Sequence, residues 1–350
     1  MKYPFLIAAF GSLLFLGLSC ENNTITFSSS GTGDGGIYQT KDRGDTWEQK
    51  VFVSQQKKKI TTIAQVNVTH IIADPKDSRV MYLITRESGL WKTTDAGEVW
   101  TQYSQGGGIH AMSIHPSDTQ IIYLASGNTV QKSADGGNGW EEAYRDPRPG
   151  IAVSSIVVDA ADPRHVTAAT SAGDILESRD SGASWQVVYR FENPVAALLQ
   201  AGATDVYFAA MPSQGVWRSL NEGKSWADIT ETLKDLSGAR EFRMLIPDPA
   251  TPRAFLLASA YGLFRTKDLG GSWDAIPLIS RPGGVDIFSL AVNPKNSSQI
   301  YYAVPGALYR SANGGARWTT LALPSSKLPT ALLVDHFNPN IMYMGFTKPK

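Results

Sequence analysis

Thr93-Thr94-Asp95-Ala96-Gly97-Glu98-Val99-Trp100 decides the reading of this chain, because its form, Ser/Thr-x-Asp/Asn-x-Gly-x-x-Trp, returns six more times. The other copies run Thr40–Trp47, Ser133–Trp140, Ser178–Trp185, Ser219–Trp226, Thr266–Trp273 and Ser311–Trp318. Their acidic or amide positions, Asp42, Asp95, Asp135, Asp180, Asn221, Asp268 and Asn313, stand 53, 40, 45, 41, 47 and 45 residues apart. One four-stranded propeller blade takes about 40–45 residues, so each copy predicts one blade.

The motif has a mechanical logic. A short side-chain oxygen such as that of Asp42 can accept hydrogen bonds from the N–H groups of a tight turn. The glycine two residues on can take a positive φ, and the indole offers an apolar face to a neighbouring blade. Asn221 and Asn313 keep the acceptor oxygen without the charge. Before each turn a glycine leads into apolar or aromatic residues, as in Gly36-Ile37-Tyr38, Gly89-Leu90-Trp91 and Gly215-Val216-Trp217, which predicts a third strand. Upstream lie two β-rich runs joined by a polar turn, such as Ile71-Ile72, Asp74-Pro75 and Val80-Met81-Tyr82, the first and second strands. No such pair precedes Gly36, while Leu332-Leu333-Val334 and Ile341-Met342-Tyr343 follow the last turn. The count predicts an all-β, seven-bladed β-propeller over residues 36–346. Its closing blade is composite, with inner strands from 330–346 and outer strands from 36–50, so that neither edge stays open. Residues 347–350 form a tail.

The repeat is identified as the Asp-box, or bacterial neuraminidase repeat, and the chain resembles the Asp-box propellers: sortilin-type ligand-binding domains, photosystem II assembly factors and xyloglucanases. The resemblance implies that each box joins the third and fourth strands of a blade, away from known active sites. The seven Asp and Asn residues above are then structural. It also implies that binding belongs to the opposite face, where the second-to-third and fourth-to-first loops meet.

The N-terminus reads as an export signal: Lys2, an apolar stretch from Phe5 to Leu18, then Ser19-Cys20. Cys20 is the sole cysteine, and Leu16-Gly17-Leu18-Ser19-Cys20 resembles a bacterial lipobox, which implies a lipidated cysteine. Gly17 departs from that pattern, and a simple secretory signal with an incidental cysteine is the alternative. Residues 1–20 are thus expected to be a signal peptide and 21–35 a flexible tether, with the protein exported and held to the membrane by the anchor alone. Lys plus Arg and Asp plus Glu balance at 32 each, so no field favours nucleic acid, and Lys57-Lys58-Lys59 reads as a solvated loop.

Aligned on the Asp-Pro turn, the residues that open the innermost strands are Thr69, His110, Ser154, Arg243, Phe288 and Thr330, a mixed ring at the axis. Arg243 is its permanent positive charge. With Glu241, His110, Tyr261 and Arg86 it forms the candidate binding set, suited to an acidic or carboxylate-bearing partner. An internal Arg243–Glu241 pair is the structural alternative. Asp146, Arg148, Asp174 and Arg190 are placed on the same face.

Catalytic residues are not marked. Sialidases, which share the box, use an arginine triad, and Glu241-Phe242-Arg243-Met244 matches that motif only superficially. Glycoside hydrolysis needs two facing carboxylates, and no spacing singles out a pair. Xyloglucanases resemble two propellers clamping a polysaccharide, whereas this length suits one. Of nine tryptophans, seven belong to boxes, and Trp91 and Trp217 fall in third strands, which leaves none as a sugar platform. The five histidines lack ligand spacing, so neither metal nor cofactor is expected. The expectation is a non-catalytic platform or assembly scaffold for an envelope protein or peptide, with a glycan-active hydrolase as the second reading.

Overall fold

Val68–Ala73, Met81–Thr85, Leu90–Thr93 and Thr101–Gln102 form one antiparallel sheet, hydrogen-bonded in chain order. We call it blade 1. The computed structural model describes residues 33–57 and 59–349. Five further sheets repeat the order, with innermost strands Ile109–Ile114, Val153–Val158, Ala197–Gln200, Phe242–Pro247 and Ser289–Asn293 for blades 2 to 6. Blade 7 is composite: Leu328–Val334 and Met342–Thr347 supply its inner pair, and Gly36–Thr40 and Glu48–Gln49 its outer pair. The two ends of the chain meet in register, from Gly36 opposite Phe346 to Thr40 opposite Met342. The protein is therefore an all-β, seven-bladed β-propeller. The stretch read as a signal peptide, with Cys20, most of the stretch read as a tether, Lys58 and Lys350 lie outside the described residues.

Second strands such as Met81–Thr85 and Phe255–Ser259 are buried along their whole length. They are apolar runs without alternation because both faces of the sheet are covered by neighbouring blades. The core accordingly lies between blades, in seven clusters, one for each interface. Tyr82, Ile84, Ile122 and Leu124 join blades 1 and 2, for example, and Ile37, Leu83, Trp100 and Tyr343 join blades 7 and 1. Fully burying one such side chain contributes about 1.5–3 kcal/mol.

Each repeated turn is held by its hydroxyl and its carboxylate in turn. Ser178 Oγ accepts the Gly182 N–H at 2.8 Å, and Asp180 Oδ1 accepts the Ser184 N–H at 2.8 Å. Asn221 and Asn313 do the same for Ser225 and Arg317, at 2.9 and 2.8 Å. Two successive residues take left-handed backbone, the turn glycine and the residue before it. That earlier residue is not glycine at Arg43, Ala96, Ser181, Glu222 and Leu269. The box indoles pack on the preceding blade: Trp100 Nε1 donates to Lys50 O at 2.9 Å and Trp273 Nε1 to Ile229 O at 2.8 Å.

A reciprocal contact runs the other way. The residue before the box hydroxyl reaches the next blade's left-handed carbonyl, Lys92 to Gly136 O and Lys132 to Ser181 O at 2.8 Å, and Arg218 to Leu269 O at 2.9 Å. Blade 3 carries Glu177 at this position, and Arg179 links it to Glu222 of blade 4. His165 is buried beside Glu177, between that carboxylate and Asp159.

Two segments depart from a plain blade count. Phe52–Gln56 and Lys59–Thr62 pair as a separate hairpin, which fills the long first spacing of 53 residues. Gly33 and Gly35, read as the end of the tether, are fixed to the propeller: their carbonyls accept from Gln49 Nε2 at 3.0 and 2.8 Å. Asp34 accepts from the Ser326 N–H at 3.0 Å and the Ser326 hydroxyl at 2.8 Å. At the other end, the last strand runs through Thr347, one residue into the stretch read as tail.

Candidate functional site

On the face away from the boxes, each innermost strand opens on an irregularity at the same place. The ladder shifts around Thr69, His110, Ser154, Arg243 and Thr330, leaving each as the extra residue of a β-bulge. Bulges re-aim a side chain that the pleat would otherwise bury against a neighbour. Phe288 and Ala196 hold the equivalent positions, their N–H groups donating to Ala303 O at 2.9 Å and Ala210 O at 2.8 Å. Ala196 completes the ring and was missed in the sequence because its blade has Gly202-Ala203-Thr204-Asp205 in place of an Asp-Pro turn.

Part of this ring is structural. Thr330 Oγ1 donates to Val68 O and Ser154 Oγ to Val195 O, both at 2.6 Å, so each hydroxyl stitches its blade to the next. His110 is exposed beside His70 of blade 1. The His70 ring reaches solvent yet is packed round by protein, and that enclosure, with His110 as the second cause, lowers its pKa.

Arg243 is 38% exposed and stands between two carboxylates, Asp286 at 3.7 Å and Glu241 at 3.9 Å. Its side-chain hydrogen bond goes to Phe242 O at 3.4 Å, so both ion pairs are open contacts that leave the guanidinium free to exchange partners. Asp286 belongs to the following loop and carried no sequence signal. The neighbouring Arg240, by contrast, is fixed between Asp228 at 2.5 Å and Glu231 at 3.1 Å. In the same blade, Tyr261 stacks on Phe264, ring centres 5.3 Å apart, and walls a cavity of about 470 Å³ with Leu263, Ile276, Leu278 and Pro282. The cavity is mostly apolar. Ser280 lines it, and its hydroxyl is buried without a partner.

The structure places Glu241, Arg243 and Tyr261 in blade 5, where Arg243 faces Glu241 at 3.9 Å and Ala260 N donates to Glu241 O at 3.0 Å. It does not bring His110 or Arg86 to them. Those two residues belong to blades 2 and 1, and among the described residues they make no hydrogen bond or ion pair with the blade 5 group.

Carboxylates from neighbouring blades do converge, as an ion-paired cluster. Asp146 and Asp174 are fully buried and share the Arg148 guanidinium, with Arg190 also on Asp174. The bond from Arg148 holds Asp146 below the usual carboxylate range. Burial would raise Asp174, but its two arginines outweigh that effect and lower it. A general acid for glycoside hydrolysis needs the opposite, a carboxyl kept protonated near neutrality. Among the described residues no three His, Cys, Asp or Glu side chains are placed to hold a metal ion, and no helix is long and apolar enough to cross a membrane.

No family model matches the chain. A xyloglucanase from Paenibacillus sp is 25% identical over 267 residues, a match covering 69% of this chain and 24% of that enzyme. The chain thus spans about a quarter of the length of this curated relative. The structure of the GH74 xyloglucanase from Xanthomonas campestris superposes with a TM-score of 0.66 at 18% identity, covering 86% of this chain and 52% of that one. The structure of YCF48 bound to D1 peptide superposes with a TM-score of 0.61 at 17% identity, covering 81% of this chain and 94% of that one. At these identities the likenesses establish the propeller fold.

Proposed function

We propose that the protein is a non-catalytic binding platform of the cell envelope, an Asp-box propeller anchored through a lipid on Cys20, whose open face takes a peptide or protein segment. The observation that carries this reading is the pairing, in blade 5, of an apolar cavity with an uncommitted charge cluster. The cavity behind Tyr261 has room for apolar side chains, and Arg243 with Glu241 and Asp286 offers charge of both signs in the same blade and its following loop. A peptide supplies both features within a few residues. YCF48, solved with a peptide bound, shares the architecture over nearly its whole length. The convergent carboxylates Asp146 and Asp174, neutralised by arginine, support the non-catalytic side of the proposal.

The second reading, a glycan-active hydrolase, is favoured by the xyloglucanase matches. One experiment separates the two. Peptides selected on the purified protein are titrated against Tyr261→Ala and Arg243→Glu variants, and the parent is incubated with xyloglucan while reducing ends are counted. Peptide affinity lost in both variants at unchanged melting temperature supports the platform. Reducing ends released by the parent but not by an Asp146→Asn/Asp174→Asn variant would transfer the assignment to the hydrolase.

A further inference from the structure

A second cavity, of about 540 Å³, lies on the box face where blade 7 meets blade 6. The blade 7 turn contributes Lys41, Asp42, Arg43 and Asp45 to its wall, and blade 6 contributes Tyr301 and Arg310. In blades 1, 2 and 7 the tyrosine at the Tyr301 position closes the corresponding seam. Tyr82, Tyr123 and Tyr343 donate their hydroxyls to the left-handed carbonyls of Gly136, Ser181 and Ala96, at 3.5, 2.8 and 3.2 Å. Tyr301 faces Arg310 across its sheet just as Tyr82 faces Lys92, yet its buried hydroxyl has no partner. The equivalent acceptor, Arg43 O, takes Arg310 Nη1 at 3.1 Å, as Gly136 O and Ser181 O take Lys92 and Lys132, but unlike them it does not also take the tyrosine.

Donors are in surplus around that hydroxyl. Arg310 is shared between Arg43 O and the Asp45 carboxylate at 3.1 Å. Asp42 is already engaged by the Thr40 and Thr46 hydroxyls, at 2.6 Å each, and by the Thr46 N–H. Lys41 and Arg43 have no carboxylate partner among the described residues. Arg43, Asp45, Arg310 and Tyr301 line the same cavity.

We propose that this seam cavity binds a tetrahedral oxyanion, phosphate or sulfate, free or carried on a larger molecule, between Lys41, Arg43, Arg310 and the Tyr301 hydroxyl. Such an anion offers acceptors alone, so it matches every donor that the turn leaves over, including the buried O–H that no protein group satisfies. Cations arriving from two blades, with a neutral donor at the wall, suit a three-dimensional set of oxygens better than the planar pair of a carboxylate. The site stands on the face opposite the peptide cavity, and its occupancy is independent of the platform reading.

The test is a thermal-shift titration with inorganic phosphate at constant ionic strength, chloride making up the balance, followed by 31P NMR line broadening. The parent is expected to show a saturable rise in melting temperature. Arg43→Gly removes the guanidinium at a position whose φ of 63° glycine adopts freely, so it should fold at least as well. Tyr301→Phe removes the unmatched hydroxyl and should melt no lower than the parent without phosphate. Both variants should need at least about tenfold more phosphate for half-saturation, the loss of one charge-assisted hydrogen bond. Glycerol phosphate in a parallel titration distinguishes the source: tighter binding than inorganic phosphate assigns a carried phosphoryl group, and equal or weaker binding a free ion. A shift that does not saturate, or half-saturation unchanged in Arg43→Gly and Tyr301→Phe, would overturn the site.

Discussion

Replacing Ser178 with alanine isolates what holds a box turn together. Its hydroxyl is buried, accepts the Gly182 N–H at 2.8 Å and donates to Asp180 Oδ1 at 2.8 Å. Gly182 is itself buried, so its N–H has no water to turn to, and stranding one buried amide costs about 1–3 kcal/mol. Asp180 serves Ser184 N–H and the Ser184 hydroxyl, at 2.8 and 2.6 Å, both at the exposed rim where water substitutes. Asn221 and Asn313 show that an amide oxygen suffices there. The expected order of damage is Ser178→Ala, then Asp180→Ala, then Asp180→Asn. For a chain of this size, a loss of about 2 kcal/mol lowers the melting temperature by about 3 °C. Differential scanning fluorimetry and urea midpoints on the three purified variants give the comparison. If Ser178→Ala is no worse than Asp180→Asn, the hydroxyl is not the keystone and the turn stands on its backbone conformation.

Acid should act through the same turns. Hydroxyl and N–H donors hold Asp42, Asp180 and Asp268 down to about 2, led by Thr40, Ser184 and Thr266 respectively. Their contribution is complete above pH ~4, where the unfolded carboxylates ionise, and is lost as pH falls toward ~2. Melting temperature scanned from pH 5 to 2 should therefore drop less steeply in a triple Asn variant at these positions. Ala96→Gly should raise stability by about 1 kcal/mol, because alanine is held there at φ 63°; no gain in urea midpoint would refute the strain. Arg148→Ala leaves Asp146 unpaired and Asp174 with Arg190 alone, an expected cost of about 2–3 kcal/mol at pH 7, discounted for the exposed side of the guanidinium. That cost should shrink as pH is lowered and the released carboxylates take up protons. A pH-independent loss would assign Arg148 a packing role instead.

Local backbone chemistry was legible in the sequence, and contacts between blades, those of the box indoles apart, were not. The box is a short turn whose hydroxyl, acceptor, glycine and indole occupy fixed offsets, so seven copies could be counted and the unpaired first and last strands joined. The channel ring followed from aligning the Asp-Pro turns and failed only where that turn is absent, at Ala196. Lys92, Lys132 and Arg218 gave no comparable signal, because a basic residue in a strand reads as solvent-facing until the next blade's carbonyl is seen beside it. Asp286 and the Tyr261 cavity depend on loop paths after Ile276, which carry no periodicity. His110 and Arg86 were grouped with Arg243 by their shared height along the channel axis, although the blade order already sets them in blades 2 and 1, apart from blade 5.

The register that joins Gly36–Thr40 to Met342–Thr347 also governs how this molecule can come apart. In a ring whose ends meet between two blades, opening would require only side chains to separate. Here the covalent gap lies inside a sheet, so opening must break a five-residue backbone ladder and wet Ile37, Tyr343 and Phe346, all fully buried. The gap is thereby the point with the steepest barrier, and the ring's persistence becomes a matter of rate as much as of equilibrium. A circular permutant that fuses these two strands and cuts a fourth-to-first loop elsewhere would keep the blade 7 ladder but move the gap between two blades, and would forfeit that barrier.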